Sequence, residues 1–395
     1  MKKSFWKIAA AAVLAAAFCV SAIGCAPFVE GDTFIGKISE EAYETVETAA
    51  QAFVRAELSG GPNADINYVS YTKESDLTDE AVEELDLGEL SAEDVTSAEA
   101  GTIIYRYVRY GSLSLDYTHT VYILGFEEAA YRYYTPAPQE GEMLTKSYFA
   151  SLLAAENFEN VTMSMKTSTG LNINNTRTQE WMNLSVESEV ELSLCDTGFH
   201  LKSTVTQILE EHVLEEVGGP EEEEQPNPDE PQEDSGKTET EVTSEIYVSL
   251  NDGILSTYVY DGEEWTMEIQ SFEGDSIAEL MVGFIAQYLS GAGDYAYFVR
   301  TESGFELNDE LYLDYMESQL SSLIGESSNA FTYEGSAFYT VSGGKFTKEY
   351  AHVTVEGTVS GVTTKAHITG YATYKNYGKT SVTVPQSVRN EAMSS

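Results

Sequence analysis

Between Trp181 and Cys195 the chain reads WMNLSVESEVELSLC, in which Met182, Leu184, Val186, Val190, Leu192 and Leu194 alternate with Asn183, Ser185, Glu187, Glu189 and Glu191. A period of two with one apolar and one wet face specifies an antiparallel strand that is buried on one side only. The same pattern returns in TEVTSEIYVSLN, through Val242, Ile246, Val248 and Leu250. STYVYDGEEWTMEIQ then reads as two short strands about an Asp261-Gly262 turn, a dipeptide suited to the positive φ angles of a tight hairpin. KEYAHVTVEGTVSGVTTKAHITGYATYKNYGKTSVTVP supplies three further strands, broken at Gly357, Gly361 and Gly378. The closing half of the chain is thus expected to be a meandering antiparallel sheet.

Two of these alternating runs flank Glu210–Glu241, which carries fourteen acidic residues, four prolines and one lysine. Such a stretch buries too little apolar surface to offset the entropy of ordering, so 215–241 is expected to be a disordered acidic insert. Because strand patterning continues on both sides, the insert reads as an oversized hairpin loop inside one sheet. It lacks the alternating oxygen-ligand loop and distal Glu of an EF-hand. The whole chain has a formal charge of −45, with no basic cluster after Lys7. That field repels nucleic acid and anionic headgroups, and no nucleic-acid partner is expected.

The first 24 residues have the layout of an export signal: Lys2, Lys3 and Lys7, then an almost unbroken apolar run from Ile8 to Ile23. The run is short for a permanent transmembrane helix. Ala22-Ile23-Gly24-Cys25 matches the bacterial lipobox at three of its four places, and ordinary signal cleavage after Gly24 fits the same small residues. On the lipobox reading Cys25 is diacylated and becomes the first residue, with 25–36 as a tether. Two acyl chains suffice for stable anchoring, which would hold the protein to the outer face of the bacterial cytoplasmic membrane. On the other reading the protein is secreted. With Cys25 acylated and Cys19 removed, Cys195 has no partner for a disulfide. A mature chain of this length exceeds the size at which single cores stop growing, and two folded units are expected.

Helical spacing interrupts the strands three times. In TKSYFASLLAAENF, Thr145 is placed as a cap, with Tyr148, Phe149, Leu152 and Leu153 on one stripe. SIAELMVGFIAQYLSG keeps Ile277, Leu280, Met281, Phe284, Ile285, Tyr288 and Leu289 in register up to Gly291, and DELYLDYMESQLSSLIG does so with Leu313, Met316, Leu320 and Leu323. These one-sided helices are expected to lie against the sheet.

The helix followed by NFENVTMSMKTS, the TYVYDGEEWT hairpin, the two later helices and the terminal GYATYKNYGKTSVTVP give 141–395 a pattern that resembles the lipoprotein fold of the LolA and LolB carriers and the LprG and LppX proteins. The resemblance implies an unclosed antiparallel β half-barrel packed on amphipathic helices, with an apolar cavity that holds lipid or acyl chains in several relatives. The family has no catalytic motif, so the resemblance transfers no functional residue. The acidic insert, the charge and the N-terminal region depart from it.

That N-terminal region, 37–140, opens with SEEAYETVETAAQAFVRAELSGG, read as a helix capped at Ser39 and ending near Gly60. An acidic stretch with short surface helices follows, then two or three tyrosine-rich strands up to the Pro136/Pro138 break. The expected class is therefore α+β throughout: a small α+β domain, then the half-barrel.

Chemistry is scarce. His119, His200, His212, His352 and His367 are scattered, with His352 and His367 able to face each other across a hairpin. There is no HExxH, no CxxC, no phosphate loop and no GxSxG elbow. No enzyme, cofactor or metal is expected. The 26 tyrosines suit sugar stacking, but equally suit half-buried strands. Two functions stand open. In one, the protein binds or carries a lipid or other hydrophobic ligand, in a cavity lined by Met163, Met165, Met182, Leu184, Leu280, Met281, Phe284 and Ile285. The same residues would equally make a solid core. In the other, it is a surface-anchored scaffold with a filled core that contacts a protein or wall polymer. An apolar void of a few hundred Å³ discriminates the two.

Overall fold

The computed structural model describes residues 36–58, 65–108, 114–152, 158–212, 236–274, 276–278, 298–308 and 331–394. The first region builds β1 (Lys37–Ile38), α1 (Val46–Phe53), a π-helical turn (Val54–Leu58), β2 (Asp65–Asp76), α2 (Asp79–Glu83), β3 (Ser97–Val108), β4 (Ser114–Phe126) and β5 (Ala130–Thr135). These strands form an antiparallel sheet in the order β1-β5-β4-β3-β2. α1 starts later than the sequence suggests. Backbone pairing of Ser39 and Tyr43 with Tyr133 and Tyr131 on β5 holds 37–43 extended. The cap is Thr45, whose hydroxyl accepts from Thr48 N at 3.1 Å while Thr48 Oγ1 accepts from Thr45 N at 3.1 Å.

After α3 (Lys146–Leu152) come β6 (Val161–Asn175), β7 (Glu180–Cys195), β8 (Gly198–His212), β9 (Gly236–Asn251), β10 (Ile254–Tyr260) and β11 (Trp265–Ser271). Then follow β12 (Phe298–Thr301), β13 (Gly304–Leu307), β14 (Phe331–Ser342), β15 (Lys345–Val359), β16 (Val362–Lys375) and the terminal α4 (Gln386–Ser394). All eleven strands share one sheet, ordered β11-β10-β9-β8-β7-β6-β16-β15-β14-β13-β12. It consists of two hairpin meanders joined where β6 pairs with β16 along Thr162↔Lys375 to Asn175↔Val362. Among the described strands of this sheet every other pairing is between neighbours in sequence, so the β6–β16 pairing is the non-local contact that joins the two meanders.

Turn chemistry sets the registers. β9 and β10 are joined by Asp252-Gly253 (φ 50° and 73°) and β15 and β16 by Ser360-Gly361 (φ 54° and 87°), both two-residue loops with positive φ at each position. Asp261-Gly262 sits instead in a four-residue loop, where Asp261 Oδ1 accepts from the amides of Glu263 (3.0 Å) and Glu264 (3.1 Å). The C-terminal run supplies two strands rather than three, because β15 passes straight through Gly357 and Gly378 lies in a turn after β16.

β8 and β9 pair from Gly198↔Ser249 to Glu211↔Gly236, so the acidic segment does join two neighbouring strands of one sheet. β9 already begins at Gly236, and the last six residues of the 215–241 stretch belong to that strand.

One contiguous core draws on both regions, combining Phe53, Ile103, Tyr105 and Ile123 with Met163, Ile173, Leu192, Phe199, Phe305 and Ile368. Between the regions, Gly141–Leu144 runs along the edge strand β12: Gly141 N donates to Arg300 O (2.9 Å), Arg300 N to Glu142 O (2.8 Å) and Leu144 N to Phe298 O (2.9 Å).

The expected α+β class is corrected. The described residues are mostly strand, arranged as two antiparallel sheets of five and eleven strands, neither of which closes, and not as a half-barrel packed on amphipathic helices. In the first region the tyrosine-rich runs, joined by Asp65–Asp76, make a sheet whose helices are only eight and five residues long. The helices expected around 276–291 and 309–325 lie outside the described residues, apart from buried Ile277 and Ala278.

Candidate functional site

Where β4 meets the β12–β13 hairpin, Leu115, Asp116, Tyr117, Val299, Glu306, Leu307 and Asn308 line an open cleft of about 410 Å³. Alternation along β4 aims Leu115 and Tyr117 at the hairpin, and both are half-buried. Across β12–β13, Val299 and Glu306 are register partners and so share a face. Asn308 Nδ2 approaches the Tyr117 hydroxyl at 3.5 Å.

A polar clasp beside the cleft fixes this geometry. Glu142 Oε1 accepts from Thr120 N (2.7 Å) and Thr120 Oγ1 (2.6 Å), while its Oε2 accepts from Gln139 N (2.8 Å). His119, fully buried, has Nδ1 2.9 Å from Thr120 O and Nε2 3.2 Å from Met143 O, with the Phe53 ring 5.3 Å away. Met143 in turn bridges Val299. β4 and β12 are thus tied to the same four-residue strap, two residues beyond the cleft on the β4 side.

Among the described residues the lining contributes two carboxylates and no basic side chain. Asp116 is held by Arg106 through Nε (2.6 Å) and Nη2 (2.8 Å), a bidentate contact that keeps its carboxyl below the ordinary range. Glu306 is exposed and has no ion-pair partner among the described residues. Behind Tyr117, directly opposite on β3, stands Tyr105, with the two rings stacked at 5.9 Å and 27°. Tyr105 is 1 % exposed, and its hydroxyl has no hydrogen-bond partner among the described residues. Burial, then the neighbouring Tyr117, pushes its pKa well up, so it stands there as a neutral donor.

The cavity residues expected from sequence lie elsewhere. Met163 (1 % exposed) and Met182 (7 %) are inside the contiguous core, and Met165 and Leu184 are partly buried against it. They are brought together on adjacent β6 and β7, but none lines the cleft. Leu280, Met281, Phe284, Ile285 and Cys25 lie outside the described residues. The cleft residues escaped sequence reasoning because they sit on strands about 180 positions apart. Only the alternation of Leu115 and Tyr117 gave a local signal.

The other histidines have structural surroundings. His200 bonds Glu245 at 2.8 Å and stacks on Tyr247 at 4.2 Å, and His212 stacks on Trp181. His352 pairs with Thr369 and His367 with Gly170 and Thr354, so the two rings sit diagonally rather than opposite each other. Among the described residues no group of His, Cys, Asp and Glu is placed to hold a metal, and no helix is long and apolar enough to cross a membrane.

No protein-family model matches the sequence, and no curated protein matches it. Among solved structures, Pseudomonas aeruginosa OccK5 (OpdH) aligns over 82 % of this chain and 99 % of its own, at 5 % identity and a TM-score of 0.09, a likeness too slight to carry any argument.

Proposed function

We propose that this protein is exported, held at the outer face of the membrane by a diacylated Cys25, and binds a small hydrophobic or amphipathic molecule in the cleft between its two sheets. The observation that carries the reading is the cleft itself: about 410 Å³, walled by Leu115, Tyr117, Val299 and Leu307, with a few polar groups at fixed positions. That volume falls within the range of small-ligand sites.

The test uses the full mature chain with Cys25→Ser and the neutral apolar probe N-phenyl-1-naphthylamine. Saturable fluorescence enhancement, weakened in Val299→Phe, supports the reading. An absence of saturable uptake returns the function to a surface scaffold. Anchoring is tested apart: the parent labels with palmitate and sediments with membranes, and Cys25→Ser does neither.

A further inference from the structure

We infer that the ligand of the cleft carries a cationic amine as well as an apolar or aromatic body. The inference rests on the proposed cleft-binding function and specifies which class of molecule is taken.

Charge is the first ground. Asp116 and Glu306 both border the cleft, and among the described residues no Lys, Arg or His lines it. Asp116 is already neutralised by the two-pronged contact from Arg106. Glu306 has no such counter-ion among the described residues, so the cleft keeps one uncompensated carboxylate at its rim. Val299, its cross-strand partner, and Leu307, its neighbour, place that carboxylate beside apolar surface. An ammonium docking there gains a charge-assisted hydrogen bond, whereas an anion meets repulsion from the rim and from a chain of formal charge −45.

The second ground is independent of charge. Tyr117 lines the cleft with its ring, which is held in place by stacking on buried Tyr105 behind it. The flat Tyr117 ring, half-buried in the cleft wall, suits an aromatic body and attracts a nearby cation.

The experiment is isothermal titration of the full mature chain carrying Cys25→Ser with three probes of one shape: tryptamine (cation), 3-ethylindole (neutral) and indole-3-propionate (anion). Tryptamine is expected to bind saturably, several-fold more tightly than 3-ethylindole, with the anion weakest and added salt eroding the preference. Glu306→Gln, an exposed substitution that leaves the melting temperature unchanged, should weaken tryptamine roughly fivefold and leave 3-ethylindole as it was. Equal affinity for all three probes, or tryptamine binding indifferent to Glu306→Gln, overturns the inference while leaving cleft binding intact. No saturable binding by any probe overturns both.

Discussion

Both oxygens of Glu57 end on one residue of the following region: Oε2 accepts from Ser147 N at 2.9 Å and Oε1 from Ser147 Oγ at 2.7 Å. Glu57 belongs to the π-helical turn after α1 and is only 5 % exposed, and Ser147 is in the first turn of α3. The carboxylate therefore satisfies an amide that the helix itself leaves unbonded, and does so across the boundary between the two sheets. Removing it strands both the amide and the hydroxyl in a partly buried place.

Glu57→Ala is accordingly expected to destabilise the protein by about 2–3 kcal/mol, since a buried, charge-assisted contact is lost and its partners are left unmade. Urea unfolding followed by tyrosine fluorescence measures it, with Ser147→Ala and the double variant completing a cycle. The coupling predicted is above 1 kcal/mol in magnitude, about the scale of directly contacting pairs. Additive single effects would show that the clasp is incidental.

Met163 was a cavity residue by sequence and is a core residue by structure, 1 % exposed and opposite Leu192 and Tyr374 on the strands either side. Met163→Ala should lower stability by about 2–4 kcal/mol, as large-to-small core substitutions do. Its effect on probe uptake in the folded protein should be nil. Loss of uptake at unchanged stability would move the ligand site back to the β6–β7 face.

Legibility followed range along the chain. Strand patterning, the hairpin spanning the acidic segment and the Thr145 cap were readable because each depends on neighbours in sequence; Tyr148 N does donate to Thr145 Oγ1, at 3.3 Å. The start of α1 was misread because Ser39, a good cap by type, is captured by Tyr133 on β5, 94 positions away. The fold class failed for a related reason: alternation in DINYVSYTKESD is imperfect, and its pairing with β3 is interrupted at Tyr68/Ser70 and Lys73/Ser75, so the strand that makes the first region a five-stranded sheet left only a faint trace. The cleft needs β4 and β12 side by side, and that adjacency is made by the 141–144 strap rather than by either strand's own pattern.

Gly304 begins β13 where a Cβ would lie 1.8 Å from the Tyr339 carbonyl oxygen, a backbone atom that is itself part of the β14 ladder. Gly304→Ala must push β13 away from β14, which also shifts Glu306 and Leu307 in the cleft wall. The expected outcome is a loss of about 1–3 kcal/mol in thermal unfolding, the usual range for forced overpacking, together with weakened probe binding. Parental stability would mean the hairpin is held far more loosely than its packing against Phe298 and Tyr339 indicates.

Glu349 gives the pH dependence a definite sign. Its residue is half-buried, but its carboxylate is enclosed by the Tyr374 hydroxyl (2.8 Å) and the Tyr339 hydroxyl (3.3 Å). Burial raises its pKa above the ordinary 4.5, only partly opposed by the two hydroxyl donors, Tyr374 first. A carboxyl raised in the native state keeps its proton after the unfolded chain has lost its own, so stability falls as pH rises from about 4.5 to the native pKa and is level beyond it. Glu349→Gln removes that slope: its stability relative to the parent should increase across this window and then stay constant. Tyr374→Phe should act in the opposite sense, raising the Glu349 pKa further and steepening the fall. Unfolding free energies from pH 4 to 8 for the three proteins provide the comparison, and parallel curves would show that the carboxylate is as well solvated in the native state as in the unfolded chain.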